Sequence, residues 1–221
     1  MSNSALVSFT QISPCKNSPR TQNIERFTPH VYVGQVSVER MGKGWQNKSG
    51  STSANYGIGS DGRIGLFVDE NDRAWTSSSK DNDMRAITVE CASDTKAPYA
   101  INDDVWNSLV NLLEDICRRN GKTKVLWFGD KDKSLSYKPA SNEIVITVHR
   151  WFASKSCPGE YLYGRLGLLA DTVNKRLTTV VEAETEMWQV VCGSFKELNN
   201  AKARAQSLRE AGYDCFIQGR V

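Results

Sequence analysis

Arg85-Ala86-Ile87-Thr88-Val89-Glu90 carries the pattern from which the fold class follows. Ile87 and Val89 alternate with Thr88 and Glu90, the period-two pattern of a strand with one buried face, and the strand delivers a carboxylate at its end. A helix is expected next, from about Asp103 to Asn120. Val105, Leu109, Leu112 and Ile116 recur at helical spacing there, and Trp106 and Leu113 widen the stripe. Asn102 stands where an N-cap belongs and Gly121 where a helix stops. To the N-terminal side, Asn55 to Gly59 and Arg63 to Val68 read as strands joined by Ser60-Asp61-Gly62, a hairpin turn in which Gly62 supplies a positive φ. To the C-terminal side, Glu143 to Val148 reads as another strand and Tyr161 to Arg176 as a second helix. Helices following strands in one compact segment predict an α/β fold, a central mixed β-sheet flanked by helices.

Residues 1–26 are polar and rich in Ser-Pro turns, and read as an irregular arm leading into a domain over 27–177. Residues 178–186, Thr-Thr-Val-Val-Glu-Ala-Glu-Thr-Glu, lose the dense patterning and read as a linker. Beyond it the pattern predicts a strand over Met187 to Val191, a helix over Glu197 to Glu210 with Ala201, Ala205 and Leu208 inward, and a strand over Asp214 to Gln218. A β-α-β unit spanning 187–221 is too small to bury a core of its own, so it should pair with a second copy or dock on something.

Composition narrows the function. The 221 residues, 39% hydrophobic and 24% charged, suffice for one fair-sized core and exclude a fibrous or wholly disordered chain. A net charge of +3, dispersed along the chain, gives no electrostatic footprint for nucleic acid. The longest apolar runs, such as Val125 to Phe128, fall far short of the ~18 residues that span a bilayer, so no membrane helix is expected. The first ten residues lack the basic and apolar regions of a signal peptide, which predicts a chain kept in the cytosol until something releases it. Six scattered cysteines with no Cys-x-x-Cys pair read as reduced thiols rather than a disulfide framework or a four-cysteine zinc site.

Histidine is the scarce residue: only His30 and His149 occur. In His149-Arg-Trp-Phe-Ala-Ser-Lys155-Ser-Cys157-Pro158-Gly159 an imidazole and a thiol flank one loop, and Pro-Gly forces a tight turn after the cysteine. Zinc accepts both ligand types, and a catalytic site needs a third protein ligand and an open position. If that site exists, His30 is its nearly forced third member. The plain alternative is a cysteine buried as a small hydrophobe and two surface histidines.

The sequence resembles the zinc-dependent N-acetylmuramoyl-L-alanine amidases, whose fold is shared by phage endolysins and peptidoglycan recognition proteins, and within them the endolysins of clostridial phages. Five blocks carry the resemblance in the family's order: Thr28-Pro29-His30 with Val33-Gly34 and Ser37-Val38-Glu39, Ser53 to Gly65, Arg73 to Ser79, Arg85 to Glu90, and His149 to Gly159. The resemblance implies Zn2+ as cofactor, held by His30, His149 and Cys157, and bacterial peptidoglycan as substrate. Val31 stands where some relatives carry a second histidine. By the same resemblance Glu90 is the general base, and Tyr56 matches a tyrosine that other branches place beside the metal to orient water or bind the oxyanion. Lys155, two residues before Cys157, is expected near the metal by chain connectivity, as a cation for the tetrahedral oxyanion. Trp75 and Thr76 to Ser79 are candidates for lining a groove for sugar and peptide.

The C-terminal Trp188 to Phe195 and Ala211 to Ile217 segments resemble one repeat of the SPOR peptidoglycan-binding domain. A single repeat implies a homodimer through the tails or packing on the catalytic domain. Taken together these features imply a phage endolysin that cuts the amide between N-acetylmuramic acid and L-alanine. Its rivals are a recognition module that has lost turnover, a zinc peptidase acting within the stem peptide, and a binding protein that regulates a host enzyme.

Overall fold

The computed structural model describes residues 2–47, 49, 52–184, 192–213, 215 and 217, without the side chains of 179–184. Two compact units divide it, residues 1–182 and 183–221.

The first unit is built on a seven-stranded sheet in the order β1-β5-β4-β7-β3-β9-β8. Its strands are β1 (Val7–Thr10), β3 (Arg26–Val33), β4 (Tyr56–Ile58), β5 (Ile64–Leu66), β7 (Ala86–Ser93), β8 (Lys124–Leu126) and β9 (Glu143–Ile146). Only β4 and β5 pair antiparallel, as the two arms of a hairpin, and Gly62 between them takes φ +77°. The other pairings are parallel, so the sheet is mixed and needs cover on both faces. A two-stranded antiparallel ribbon of β2 (Lys16–Asn17) and β6 (Arg73–Ala74) lies outside it.

Side-chain alternation assigns the faces. Phe27 of β3, Tyr56 of β4 and Ile87, Val89 and Cys91 of β7 belong to one core cluster. The helix α3 (Asp103–Arg119) joins that cluster through Val105, Leu109, Leu112, Leu113 and Ile116, and α6 (Leu166–Glu184) through Leu169, Val173 and Leu177. Asn102 caps α3 by accepting from the Val105 N–H, and Gly121 follows the helix at φ +63°. On the opposite face α1 (Val38–Gly44) supplies Val38 and Met41 to a smaller cluster with Trp45, Phe67 and Ala92. Thr28 and His30 of β3 and Thr88 and Glu90 of β7 sit on this second face by the same period of two.

The structure departs from the sequence expectations at several elements. The arm over residues 1–26 is an integral part of the unit: β1 adds an edge strand parallel to β5. Arg20 of that segment is buried and donates to the carbonyls of Glu70, Asp72, Met84 and Ala86 at 2.6–3.1 Å. A polar composition misled because these polar side chains satisfy backbone groups inside the fold. The helix expected over Tyr161 to Arg176 is two helices, α5 (Gly159–Tyr163) and α6, and α6 runs to Glu184 through most of the expected linker. Arg85 ends a short helix, α2 (Lys80–Arg85), and β7 continues past Glu90 to Ser93, so Glu90 is inside its strand.

In the second unit α7 (Leu198–Glu210) forms with Ala205 buried. The strand expected over Met187 to Val191 lies outside the described residues, as does most of that over Asp214 to Gln218; Cys215 and Ile217 are described and belong to no regular element. Among the described residues no helix is long and apolar enough to cross a membrane.

Candidate metal centre

His30 comes from the middle of β3, fully enclosed at 1% exposure. His149 opens a short 3-10 turn (His149–Trp151) just after β9, and Cys157 returns to it around a loop. Arg150 closes that loop: its N–H donates to the Cys157 carbonyl at 3.1 Å, and its guanidinium reaches Glu160 at 2.7 Å. The Cys157-Pro158 peptide is cis, and Gly159 takes φ +77° where a Cβ would stand 2.8 Å from the Pro98 carbonyl, so this turn requires glycine.

One ligand atom from each of His30, His149 and Cys157 lies within 4.8 Å of the others. Cys157 Sγ is 3.3 Å from His30 Nδ1, and the two imidazole rings are 5.0 Å apart. Burial lowers the pKa of both histidines, that of His149 with a further push from the nearby Lys155 charge. Both rings are therefore neutral at pH 7, the form that binds a metal. Burial, together with the Glu90 charge, raises the Cys157 thiol.

Glu90 pairs with His30 across the β3–β7 register, and its Oε1 is 3.9 Å from His30 Nδ1. Burial pushes its carboxyl up to about 8. Among the described residues His30 Nε2 and Glu90 Oε2 are buried polar atoms without a hydrogen-bond partner, which a bound cation or water would satisfy. Two imidazoles and one thiol form a donor set suited to zinc, and three protein ligands with an adjoining cavity leave room for water. The residues fit the metal. Glu90 and His149 open onto a cavity of about 380 Å3 bounded by Tyr32, Trp45 and Thr76. A second hollow of about 230 Å3, lined by Arg73, Trp75 and Ser78, adjoins the first at Thr52 and Thr76. Lys155 is an exposed residue of the same loop.

Tyr56 does not join this cluster. Its register partner on β7 is Val89, while Gly57 stands beside Glu90, so the ring faces the α3 core. Its hydroxyl donates to Glu70 Oε1 at 2.6 Å and accepts from the Ser4 N–H at 3.0 Å, and Arg119 holds the same carboxylate at 2.7 Å. The expectation that Tyr56 stands beside the metal is corrected by strand parity. Tyr56→Phe should cost about 1–2 kcal/mol in urea unfolding, because it leaves buried partners unpaired, and should leave turnover unchanged. A tenfold turnover loss in the folded variant would return Tyr56 to the site.

A buried hydroxyl layer escaped the sequence reading. Thr28 and Thr147 are 2.8 Å apart, Asn82 bonds both at 3.0 and 2.9 Å, and Thr76 meets Thr88 at 2.8 Å. Each threonine precedes a site residue by two: Thr28 with His30, Thr88 with Glu90, Thr147 with His149 and Thr76 with Ser78. For Thr28 with His30 in β3 and Thr88 with Glu90 in β7 the strand period of two puts both members on one face, so Thr-x-(His/Glu) within a strand is a signal the sequence carries.

Residues 10–160 match the family described as Amidase_2, N-acetylmuramoyl-L-alanine amidase. The chain belongs to this amidase family, and the mixed sheet with flanking helices is the family's fold. A solved selenomethionine derivative of AmpD is similar at 19% identity and TM-score 0.53, over 76% of this chain and 96% of that one. The Ph2119 endolysin from the Thermus scotoductus MAT2119 bacteriophage aligns at 15% identity and TM-score 0.47, over 71% and 89%. The amidase LysCS from Clostridium intestinale URNW aligns at 14% and 0.44, over 73% and 96%. No curated protein matches the chain.

Proposed function

We propose that this protein hydrolyses the amide between the lactyl group of N-acetylmuramic acid and the L-alanine of the peptidoglycan stem peptide, with zinc held by His30, His149 and Cys157. The observation that carries the reading is the convergence of these three donors within 4.8 Å beside Glu90, inside the segment that matches the amidase family. Bound zinc would supply Lewis acidity, polarising the amide carbonyl and making a water acidic near neutral pH. Glu90 accepts the proton of the attacking water and returns it to the leaving alanine nitrogen. A carboxyl raised to about 8 suits a group that must take and release a proton near pH 7. Lys155, whose charge is felt at His149, steadies the developing oxyanion. The two adjoining open hollows suit a polymer whose sugar and peptide run beyond the scissile bond.

The phage-lysis context extends the sequence resemblance to endolysins. In that context the enzyme waits in the host cytoplasm until it is released to the wall. Residues 187–221 are proposed as a SPOR-like wall-binding or dimer-forming repeat, with α7 as its helix. Digestion of purified cell walls tests the central reading. New amino-terminal L-alanine and stem-free glycan support it. Other new termini would indicate a peptidase, and zinc uptake without any new terminus would indicate a recognition module.

A further inference from the structure

We propose that Ser78 is a positioning residue for the metal site: its hydroxyl takes the Nε2 position of His149 and so presents Nδ1 to a metal shared with His30 and Cys157. The inference rests on the reading of those three residues as zinc ligands. Ser78 Oγ lies 3.1 Å from His149 Nε2. A neutral imidazole has one donor and one acceptor nitrogen, so a hydroxyl oxygen that accepts from Nε2–H leaves the Nδ1 lone pair for the metal and sets the ring plane.

The backbone at Ser78 is held in an unusual conformation. Its φ is +63°, and among the described residues only Tyr99 shares a positive φ without being glycine. Anchors on both sides impose this. The Asp83 carboxylate accepts from the N–H groups of Thr76 and Ser77 at 2.9–3.1 Å, and Ser79 caps α2 by accepting from the Asn82 N–H at 3.2 Å. Between them the chain turns Ser78 out toward His149, whereas a relaxed loop would seat glycine here. A serine kept in a glycine conformation, with its hydroxyl on a candidate ligand, marks strain retained for a side-chain purpose.

The test compares the wild-type protein with Ser78→Gly and Ser78→Ala. Zinc affinity is measured by competition with a chromophoric chelator, and 15N spectra of protein loaded with 113Cd show which His149 nitrogen couples to the metal. Coupling to Nδ1 is expected. Both variants should bind zinc about tenfold more weakly, the lower end of the cost of losing an outer hydrogen bond to a ligand. Ser78→Gly should melt at or above the wild-type temperature, since glycine accepts the φ. Coupling to Nε2, unchanged affinity in both variants, or a loss confined to Ser78→Ala would overturn the proposal. If the wild-type protein takes up no zinc, the metal reading falls with it; if the wild type binds one zinc and the variants match it, only the Ser78 role falls.

Discussion

His149→Ala is expected to abolish both zinc uptake and wall hydrolysis while leaving the fold intact. His149 stands after β9 in a short turn, only half-buried, and contributes no atom to either core cluster, so its removal takes away a donor without opening the core. His30 and Cys157 would remain, 3.3 Å apart, as two ligands where three are needed. The loss of affinity should exceed the roughly 10–100-fold that loss of an outer hydrogen bond costs. Metal analysis after dialysis and dye release from labelled walls measure the two effects together. A variant that keeps one equivalent of zinc would remove His149 from the ligand set. Because burial holds the Cys157 thiol protonated, zinc must displace that proton on binding. Zinc affinity of the wild-type protein should therefore tighten by at least about tenfold per pH unit between pH 6 and 8, one proton leaving Cys157 and a further share leaving Glu90 as the cation favours its ionised form.

Glu90→Gln should separate chemistry from binding: zinc stays and turnover falls by roughly 10²–10⁴-fold, the range for loss of a general acid-base group. The amide keeps the size of the carboxyl, so β7 and its pairing with β3 should be undisturbed. A fully active Glu90→Gln protein would move the proton acceptor elsewhere. The same substitution has a stability signature whose sign follows from burial. The folded pKa of Glu90, about 8, lies above the ordinary value of 4.5, so ionisation opposes the folded state. Its cost is absent below pH 4.5 and grows until about pH 8. In the metal-free protein Glu90→Gln should raise the melting temperature, by an amount that increases from pH 5 to pH 8 and then levels off. With zinc bound the cation offsets the buried charge and the gain should shrink. Melting curves with and without chelator check this; a gain independent of pH would place Glu90 in water.

Period was legible and partnership was not. The alternation of Ile87 and Val89 with Thr88 and Glu90 put Glu90 on the face away from the α3 core, where it lies. The same rule applied to β4 would have turned Tyr56 away from Glu90, but only once the register that sets Tyr56 against Val89 was known. The polar arm concealed β1 because its alternation, Val7 and Phe9 against Ser8 and Thr10, runs for only four residues inside an otherwise polar segment, and pairing with β5 is what makes it a strand. Arg20 was invisible for a related reason. Its guanidinium serves five backbone carbonyls drawn from residues 70–86, a role that no local pattern encodes.

By itself the sequence determined the class of fold, the family blocks and the candidate donors, since only two histidines exist and one of them shares a loop with Cys157. These are local or compositional facts, carried by spacing along the chain. Tertiary structure alone decided which face Tyr56 occupies, that the first 26 residues belong inside the unit, and that Ser78 reaches His149 across 71 positions. Each of those depends on how separate strands are ordered and registered in one sheet. That ordering is set by the burial of both faces together, and no single segment of the chain contains it.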